Sequence, residues 1–325
     1  MKHALVTGGA GFIGSHLAEA LLARGDRVTV VDDESTGSRD NLAGVLDHPR
    51  LVYVQDTVAD PAVVERLVAG ADEVYHLAAA VGVGLVAEDP IRSIETNIYP
   101  TGVILDCLGR RHRRGDRVKL FLASTSEIYG RNPKGQWTEQ EDMVFGQTHL
   151  ARWSYGASKA IDEFLALAWW RKRGLPVVVG RFFNVVGPRQ TGAYGMVLPR
   201  FVEAALAGGP LVVHDDGLQV RCFAHVADVV RIVLALMETD QAVGRPVNVG
   251  SDRPVTILEL ARRVVAAVDP AVAIEFQSYG EAYGDDFEDC RRRVPDLSRL
   301  RGLVDFEPRF TLDEVIAELV AWKRG

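Results

Sequence analysis

Tyr155 and Lys159 stand four residues apart in the run Tyr155-Gly156-Ala157-Ser158-Lys159, a spacing that puts both side chains on one face of a helix. An ammonium beside a phenol favours the phenolate, so the pair could serve as a base near neutral pH. Alone the spacing means little. A second run, Ser124-Thr125-Ser126-Glu127-Ile128-Tyr129-Gly130, follows an apolar, strand-like segment. There the Thr125 hydroxyl could share a substrate proton with the tyrosine. A third run, Gly8-Gly9-Ala10-Gly11-Phe12-Ile13-Gly14, lies between the first apolar stretch and an amphipathic one. Gly8 allows a tight turn, Gly11 lets backbone approach a diphosphate, and Gly14 lets helix pack on strand. The helix that opens there offers free N–H groups and a positive dipole end to phosphates. The second strand-like stretch ends in Asp32-Asp33. A carboxylate in that place accepts from a ribose 2′-hydroxyl and repels a 2′-phosphate, which favours NAD over NADP. Asp56-Thr57, after the third stretch, is where an adenine could be gripped, though alone the pair is uninformative.

These groups need a scaffold. Residues 4–6, 27–31, 51–54, 73–76, 118–122 and 177–180 are short apolar runs, and helical spacing fills most gaps, as in 13–23 and 63–68. Near-continuous apolar strands alternating with helices predict an α/β fold with a doubly wound parallel sheet. Ligands in such sheets sit beyond the carboxyl ends of the strands. After residue 180 Gly and Pro punctuate the chain more often. The expected division is a dinucleotide-binding domain over 1–180 and a smaller C-terminal substrate-binding α/β lobe over 181–325, with segments near 226–250 returning to the large sheet.

Composition narrows the function classes. A net charge of -7 argues against generic affinity for nucleic acid or anionic membrane. An anionic substrate would therefore need local arginines. Cys107, Cys222 and Cys290 are widely spaced and unpatterned, and the eight histidines lack metal-ligand spacing, so no metal is expected. Unpaired cysteines suit the cytoplasm. A strand beginning near the first residue leaves no room for a signal peptide. No apolar run is long enough to span a membrane; 164–170 comes nearest.

Taken together, Gly8 to Gly14, His76-Leu77-Ala78-Ala79, the Ser-Thr-Ser-Glu run and the Tyr155/Lys159 pair resemble the extended short-chain dehydrogenase/reductases that act on nucleotide sugars. The resemblance implies a Rossmann sheet, a held NAD and transient oxidation of a hexose at carbon 4. It assigns to the cofactor Gly8, Gly11, Phe12, Ile13, Gly14, Asp32, Asp33, Thr36, Gly37, Asp56, Thr57, Leu77, Ala79 and Thr96, together with Tyr155 and Lys159. Gln55-Asp56-Thr57 departs from the usual Gly-Asp-hydrophobic, so the adenine contacts could differ.

Thr125-Ser126-Glu127 before an aliphatic residue and Tyr-Gly is similar to two subfamilies, the UDP-glucuronic acid decarboxylases and the GDP-mannose 4,6-dehydratases. Both use an additional carboxylate. Arg152-Trp153-Ser154-Tyr155 and the run from Tyr283-Gly284 through Asp289 to Arg293-Val294-Pro295 are similar to the first. The expected catalytic set is Thr125, Ser126, Glu127, Tyr155, Lys159 and Arg293. Substrate contacts are expected from Arg152, Asn184, Arg189, Arg221 and Arg293, the arginines offering planar donors to anions. An ion pair bridging the two lobes is the plainer explanation of Arg221.

The implied reaction is NAD-dependent decarboxylation of UDP-glucuronic acid through a 4-keto intermediate, to UDP-xylose, UDP-4-keto-xylose or both. A nucleotide-sugar 4-epimerase or 4,6-dehydratase is the nearest alternative, and a non-catalytic dinucleotide sensor the more distant one. His225 and Asp228 read as packing and capping positions. Phe164 and Trp169-Trp170 form an apolar helix face that belongs to core or to a subunit interface. A homodimer is implied by resemblance only.

Overall fold

The computed structural model describes residues 1–81, 89–192, 195–283 and 288–325. Gly284 to Phe287, part of the late run read above, lie outside the described residues. The strands are β1 (His3–Thr7), β2 (Arg27–Asp32), β3 (Leu51–Gln55), β4 (Glu73–His76), β5 (Lys119–Thr125) and β6 (Val177–Phe182). After them come β7 (Val185–Val186), β8 (Leu211–His214), β9 (Val220–Cys222), β10 (Ala224–His225), β11 (Pro246–Val249), β12 (Pro254–Thr256) and β13 (Ile274–Gln277). The first helices are α1 (Phe12–Arg24), α2 (Pro61–Val68), α3 (Pro90–Arg113) and α4 (Ser154–Arg173). The later ones are α5 (Val197–Leu206), α6 (Val226–Glu238), α7 (Ile257–Val268), α8 (Tyr279–Tyr283), α9 (Ser298–Leu303) and α10 (Leu312–Arg324).

Seven strands form one parallel sheet in the order β11-β6-β5-β4-β1-β2-β3. The order reverses between β1 and β4, which opens a crevice at their carboxyl ends. Alternate residues of a strand face opposite sides, and the two cores show it. Ala4 and Val6 pack with Leu17 and Leu21 of α1 and Val229 and Val233 of α6. Leu5 packs with Val64 of α2 and with Ile104 and Leu108 of α3. The sheet is thus covered on both faces, as the near-continuous apolar strands predict.

A separate core joins α5, α7, α10 and β8 through Leu198, Phe201, Leu211, Leu260 and Leu319. Residues 246–249 return to the large sheet as β11, while 226–238 return as a helix lying on it. His225 caps that helix by accepting from the Ala227 N–H. Asp228 instead pairs with Arg231 and accepts from the Arg309 N–H, so it ties α6 to the C-terminal segment.

Gly14 allows the closest approach in the dinucleotide turn. A Cβ there would stand 2.1 Å from the Gly8 carbonyl oxygen and 2.7 Å from the Gly9 Cα, both backbone atoms that cannot rotate away. Gly302 in α9 is the opposite case, with nothing within 4 Å of a built Cβ. Gly14→Ala should therefore lower stability by roughly 1–3 kcal/mol or more through overpacking. Gly302→Ala should be neutral or gain up to about 1 kcal/mol from helix propensity. Urea denaturation of the two variants checks the difference in sign.

Candidate active site

One cavity of about 1260 Å³ runs along the carboxyl ends of the strands. Ordinary ligand pockets hold roughly 300–1,000 Å³, so this one has room for two bound molecules. Its first part is lined by Gly8, Gly11, Phe12, Ile13, Gly14, Asp32, Asp33, Thr36, Asp56, Thr57, Leu77, Ala79 and Thr96. Gly8 adopts a φ of 67°, and a Cβ there would meet Ala78 backbone atoms at 2.7–2.9 Å. Gly11 caps α1 with no side-chain hydrogen bond, and the first turn of the helix carries no acidic residue. A diphosphate fits such a terminus, with free N–H groups and no repelling charge.

Asp32 ends β2, where its oxygens accept from the Ala10 and Glu34 N–H groups at 2.9 and 2.8 Å. Burial pushes its carboxyl above the usual range, and those two bonds oppose the push. The carboxylate is thus aimed and still has lone pairs for a ribose hydroxyl. On donor chemistry and backbone clearance, the wall fits NAD. Gly37 does not line the cavity: a Cβ on it would crowd the Ala10 backbone at 2.9 Å. It packs against the backbone of the glycine turn instead.

Further along, the same cavity is lined by Thr125, Ser126, Glu127, Arg152, Tyr155, Asn184, Arg189, Arg221 and Arg293. The end of β5 delivers Thr125, whose hydroxyl accepts from the Glu127 N–H at 3.2 Å and starts a 3-10 turn over Ser126–Tyr129. That turn presents Glu127. Its Oε1 accepts from Arg293 Nη1 at 2.6 Å, and its Oε2 pairs with Arg152 Nη2 at 2.8 Å. Burial alone would raise the Glu127 pKa, but the two guanidinium groups outweigh it and hold the carboxyl down at about 2.

Tyr155 opens α4 and hydrogen-bonds Thr125. Its phenol is pushed up, not down. Burial is the main cause, Glu127 and Asp162 add to it, and Thr125 and Arg293 oppose it. Lys159, read as the cation that eases Tyr155 ionisation, carries an ion pair of its own. Its ammonium donates to Asp162 at 2.7 Å, one helical turn on, and both side chains are buried. Lys159 itself does not line the cavity. Behind it, His76 bridges Thr7 and Thr101 at 2.7 and 3.1 Å. Burial, reinforced by the Lys159 charge, lowers His76 to about 3 and keeps it neutral.

Arg221 donates to Asp289 at 2.8 Å, so it lines the cavity while pairing within the C-terminal lobe and not across the two lobes. Asn184 donates to the Cys222 carbonyl at 2.9 Å and thereby holds β9. Arg189, with a φ of 70°, pairs with Glu19 of α1 at 2.6 Å. The sequence reading assigns no role to Asp162 or Asp289. The position of Asp162, three residues after Lys159 on the same helix face, is a signal that could have found it. Asp289 is joined to the site only by tertiary folding.

Residues 4–250 match the model of the NAD dependent epimerase/dehydratase family. A UDP-N-acetyl-alpha-D-glucosaminuronate decarboxylase from Bacillus cytotoxicus is 36% identical over 327 residues, covering 99% of this chain and 98% of its own. UDP-glucuronic acid decarboxylase 1 of Arabidopsis thaliana is 35% identical over 319 residues, with 98% and 68% covered. Among solved structures, a Thermus thermophilus UDP-glucose 4-epimerase in complex with NAD superposes with a TM-score of 0.86 at 29% identity, covering 99% of each chain. A Thermotoga maritima UDP-glucose 4-epimerase with UDP-glucose gives 0.85 at 30% identity, with 99% and 98% covered. Motif, fold, cavity and relatives agree: the chain belongs to the NAD dependent epimerase/dehydratase family, and NAD is its cofactor.

Proposed function

We propose that the chain decarboxylates a UDP-hexuronic acid, UDP-glucuronic acid first, to UDP-xylose, UDP-4-keto-xylose or both. The observation that carries this reading is the arginine pair around Glu127. Arg152 and Arg293 line the cavity, and each keeps a buried Nε–H without an acceptor among the described residues. A buried donor without a partner costs about 1–3 kcal/mol, and a sugar carboxylate would supply the missing acceptors. Curated relatives at 35–36% identity, named as decarboxylases of two UDP-hexuronates, support the same chemistry.

NAD, when bound, supplies a hydride acceptor for carbon 4 and a positive ring charge that favours the Tyr155 phenolate. Tyr155 then takes the carbon-4 hydroxyl proton, with Thr125 sharing the hydrogen bond. A ketone at carbon 4 makes the sugar a β-keto acid, which loses CO2 because the ketone oxygen accepts the electron pair as an enolate. Arg152 and Arg293 hold the carboxylate in place, and Arg293 stabilises the developing charge. Ser126 and Glu127 orient the leaving carboxylate and hold a water through which a solvent proton reaches carbon 5, with Arg293 beside the enolate as it collapses. Arg221 and Asn184 serve the diphosphate. In this reading residues 1–180 hold NAD, and 181–325 mainly hold the nucleotide sugar.

The protein functions in the cytoplasm on this reading; its three cysteines are buried and free, and no helix among the described residues is long and apolar enough to cross a membrane. It acts as a homodimer. Tyr99 of α3 and Phe164 of α4 are 54% and 58% exposed on two helices packed side by side, with Ile91 and Ile161 also exposed. Trp169 and Trp170, by contrast, pack inward on Gly109 and Gly244. A second copy that sets the same two helices against these would bury the apolar face.

Glu127→Gln keeps the shape of the side chain and removes its charge. CO2 release from UDP-glucuronic acid, measured on the NAD-loaded protein, should fall by about 10²-fold or more. A variant that keeps wild-type release would remove Glu127 from the reaction, whereas a wild-type protein that releases no CO2 would sink the decarboxylase reading and leave the epimerase. Phe164→Arg should convert the dimer to monomer in size-exclusion chromatography with light scattering; unchanged mass would remove this face as the interface.

A further inference from the structure

Five charges of alternating sign line the substrate end of the cavity: Arg221, Asp289, Arg152, Glu127 and Arg293. Arg221 Nη2 lies 2.8 Å from Asp289 Oδ2, and Asp289 Oδ1 lies 3.9 Å from Arg152 Nη2. Arg152 Nη2 then reaches Glu127 Oε2 at 2.8 Å, and Glu127 Oε1 reaches Arg293 at 2.6 Å. Asp289 is further fixed by the Tyr279 hydroxyl, which donates to Oδ2 at 2.7 Å, and by the Cys290 N–H, which donates to Oδ1 at 2.8 Å. The ladder draws on β9, the segment 288–293, a 3-10 turn over Ala151–Trp153 and the turn that carries Glu127.

One link in this ladder is loose, the 3.9 Å step between Asp289 and Arg152. A carboxylate that shares both oxygens with guanidinium groups is a poor base, so Glu127 must shed one of them before it can act. Of its two partners, Arg152 is the one with a second carboxylate within 4 Å among the described residues. The diphosphate of a nucleotide sugar competes with Asp289 for Arg221, since a phosphate offers the guanidinium a strong bidentate match. Losing Arg221 leaves Asp289 undercompensated in a mostly buried place, where an unpaired charge is costly.

We propose that Asp289 is a positioning residue that sets where Arg152 sits: once a diphosphate takes Arg221, Asp289 draws Arg152 toward itself and frees Glu127. Binding at the nucleotide end is thereby coupled to activation at the sugar end. A ligand lacking the diphosphate leaves the ladder closed and Glu127 capped. The inference rests on the reading above, in which the cavity takes a nucleotide sugar and Glu127 acts on it.

Asp289→Asn tests it, because the variant keeps the shape and removes the charge. The full chain loaded with NAD is titrated with UDP by calorimetry and assayed for turnover. Without the carboxylate beside Arg221, UDP should bind at least as tightly as to wild type, while turnover falls by about tenfold or more. Turnover within about threefold of wild type would overturn the inference. So would a parallel loss of UDP affinity and turnover, which marks Asp289 as scaffold only. Should the Asn variant not fold, Asp289→Ser is read in the same way. Wild-type turnover decides the proposed reaction by itself. The variant-to-wild-type ratio decides the role of Asp289, taken on whichever of UDP-glucuronate, UDP-N-acetylglucosaminuronate or UDP-glucose the wild type converts.

Discussion

A carboxylate placed inside a cavity that must receive an anion is an electrostatic liability, and Glu127 is such a carboxylate. Left alone in a buried place it would take up a proton. It stays ionised because Arg152 and Arg293 converge on its two oxygens. Those arginines are 141 residues apart (293 minus 152), so the pairing forces the loop before α4 and the segment after residue 287 onto the end of β5. Breaking a buried pair by removing one partner typically costs about 3–5 kcal/mol. The carboxylate therefore organises this end of the cavity.

The turn that presents Glu127 is itself pinned from below. Ser124, just before it, hydrogen-bonds Glu163 of α4. Glu163 holds Arg181 of β6 through two nitrogens, and Arg181 donates to the Tyr129 hydroxyl at 2.9 Å. Tyr129 in turn donates to Asn248 of β11 at 2.7 Å. This buried chain locks β5, β6, β11 and α4 together, so the start and the end of the Ser126–Tyr129 turn cannot drift independently. Tyr129, Trp137 and Phe183 pack together there as a buried cluster of tilted rings. A polar network with every member satisfied rigidifies its surroundings, and here what it rigidifies is the base of the turn that carries Glu127. Lys159 is held similarly, by Asp162 on its own helix.

Local chemistry was the legible part of the sequence. A glycine turn, its following helix and an acidic strand end are consecutive in the chain, so their joint meaning can be read before folding, and the sheet follows from period and strand character. Roles that depend on distant partners were not legible in this way. The spacing reads Lys159 as the cation that eases Tyr155 ionisation, but a spacing does not show that Asp162 pairs with the same ammonium. Gly37 falls in the right loop yet packs against Ala10. Arg221 pairs with Asp289 inside the C-terminal lobe, so the lobe-bridging pair expected of it is not the one that forms. Asp289 lay within a recognisable segment, but its place between Arg221 and Arg152 is a product of tertiary folding.

The central claim is that this buried, doubly capped carboxylate serves the removal of a carboxyl group from a UDP-sugar. The most direct measurement is mass spectrometry of the products after purified protein is incubated with UDP-glucuronic acid, with and without added NAD. The account predicts loss of one CO2 to a UDP-pentose or its 4-keto form, and the species found shows whether hydride returns before release. A UDP-sugar of unchanged mass, with UDP-N-acetylglucosaminuronic acid equally untouched, would contradict it.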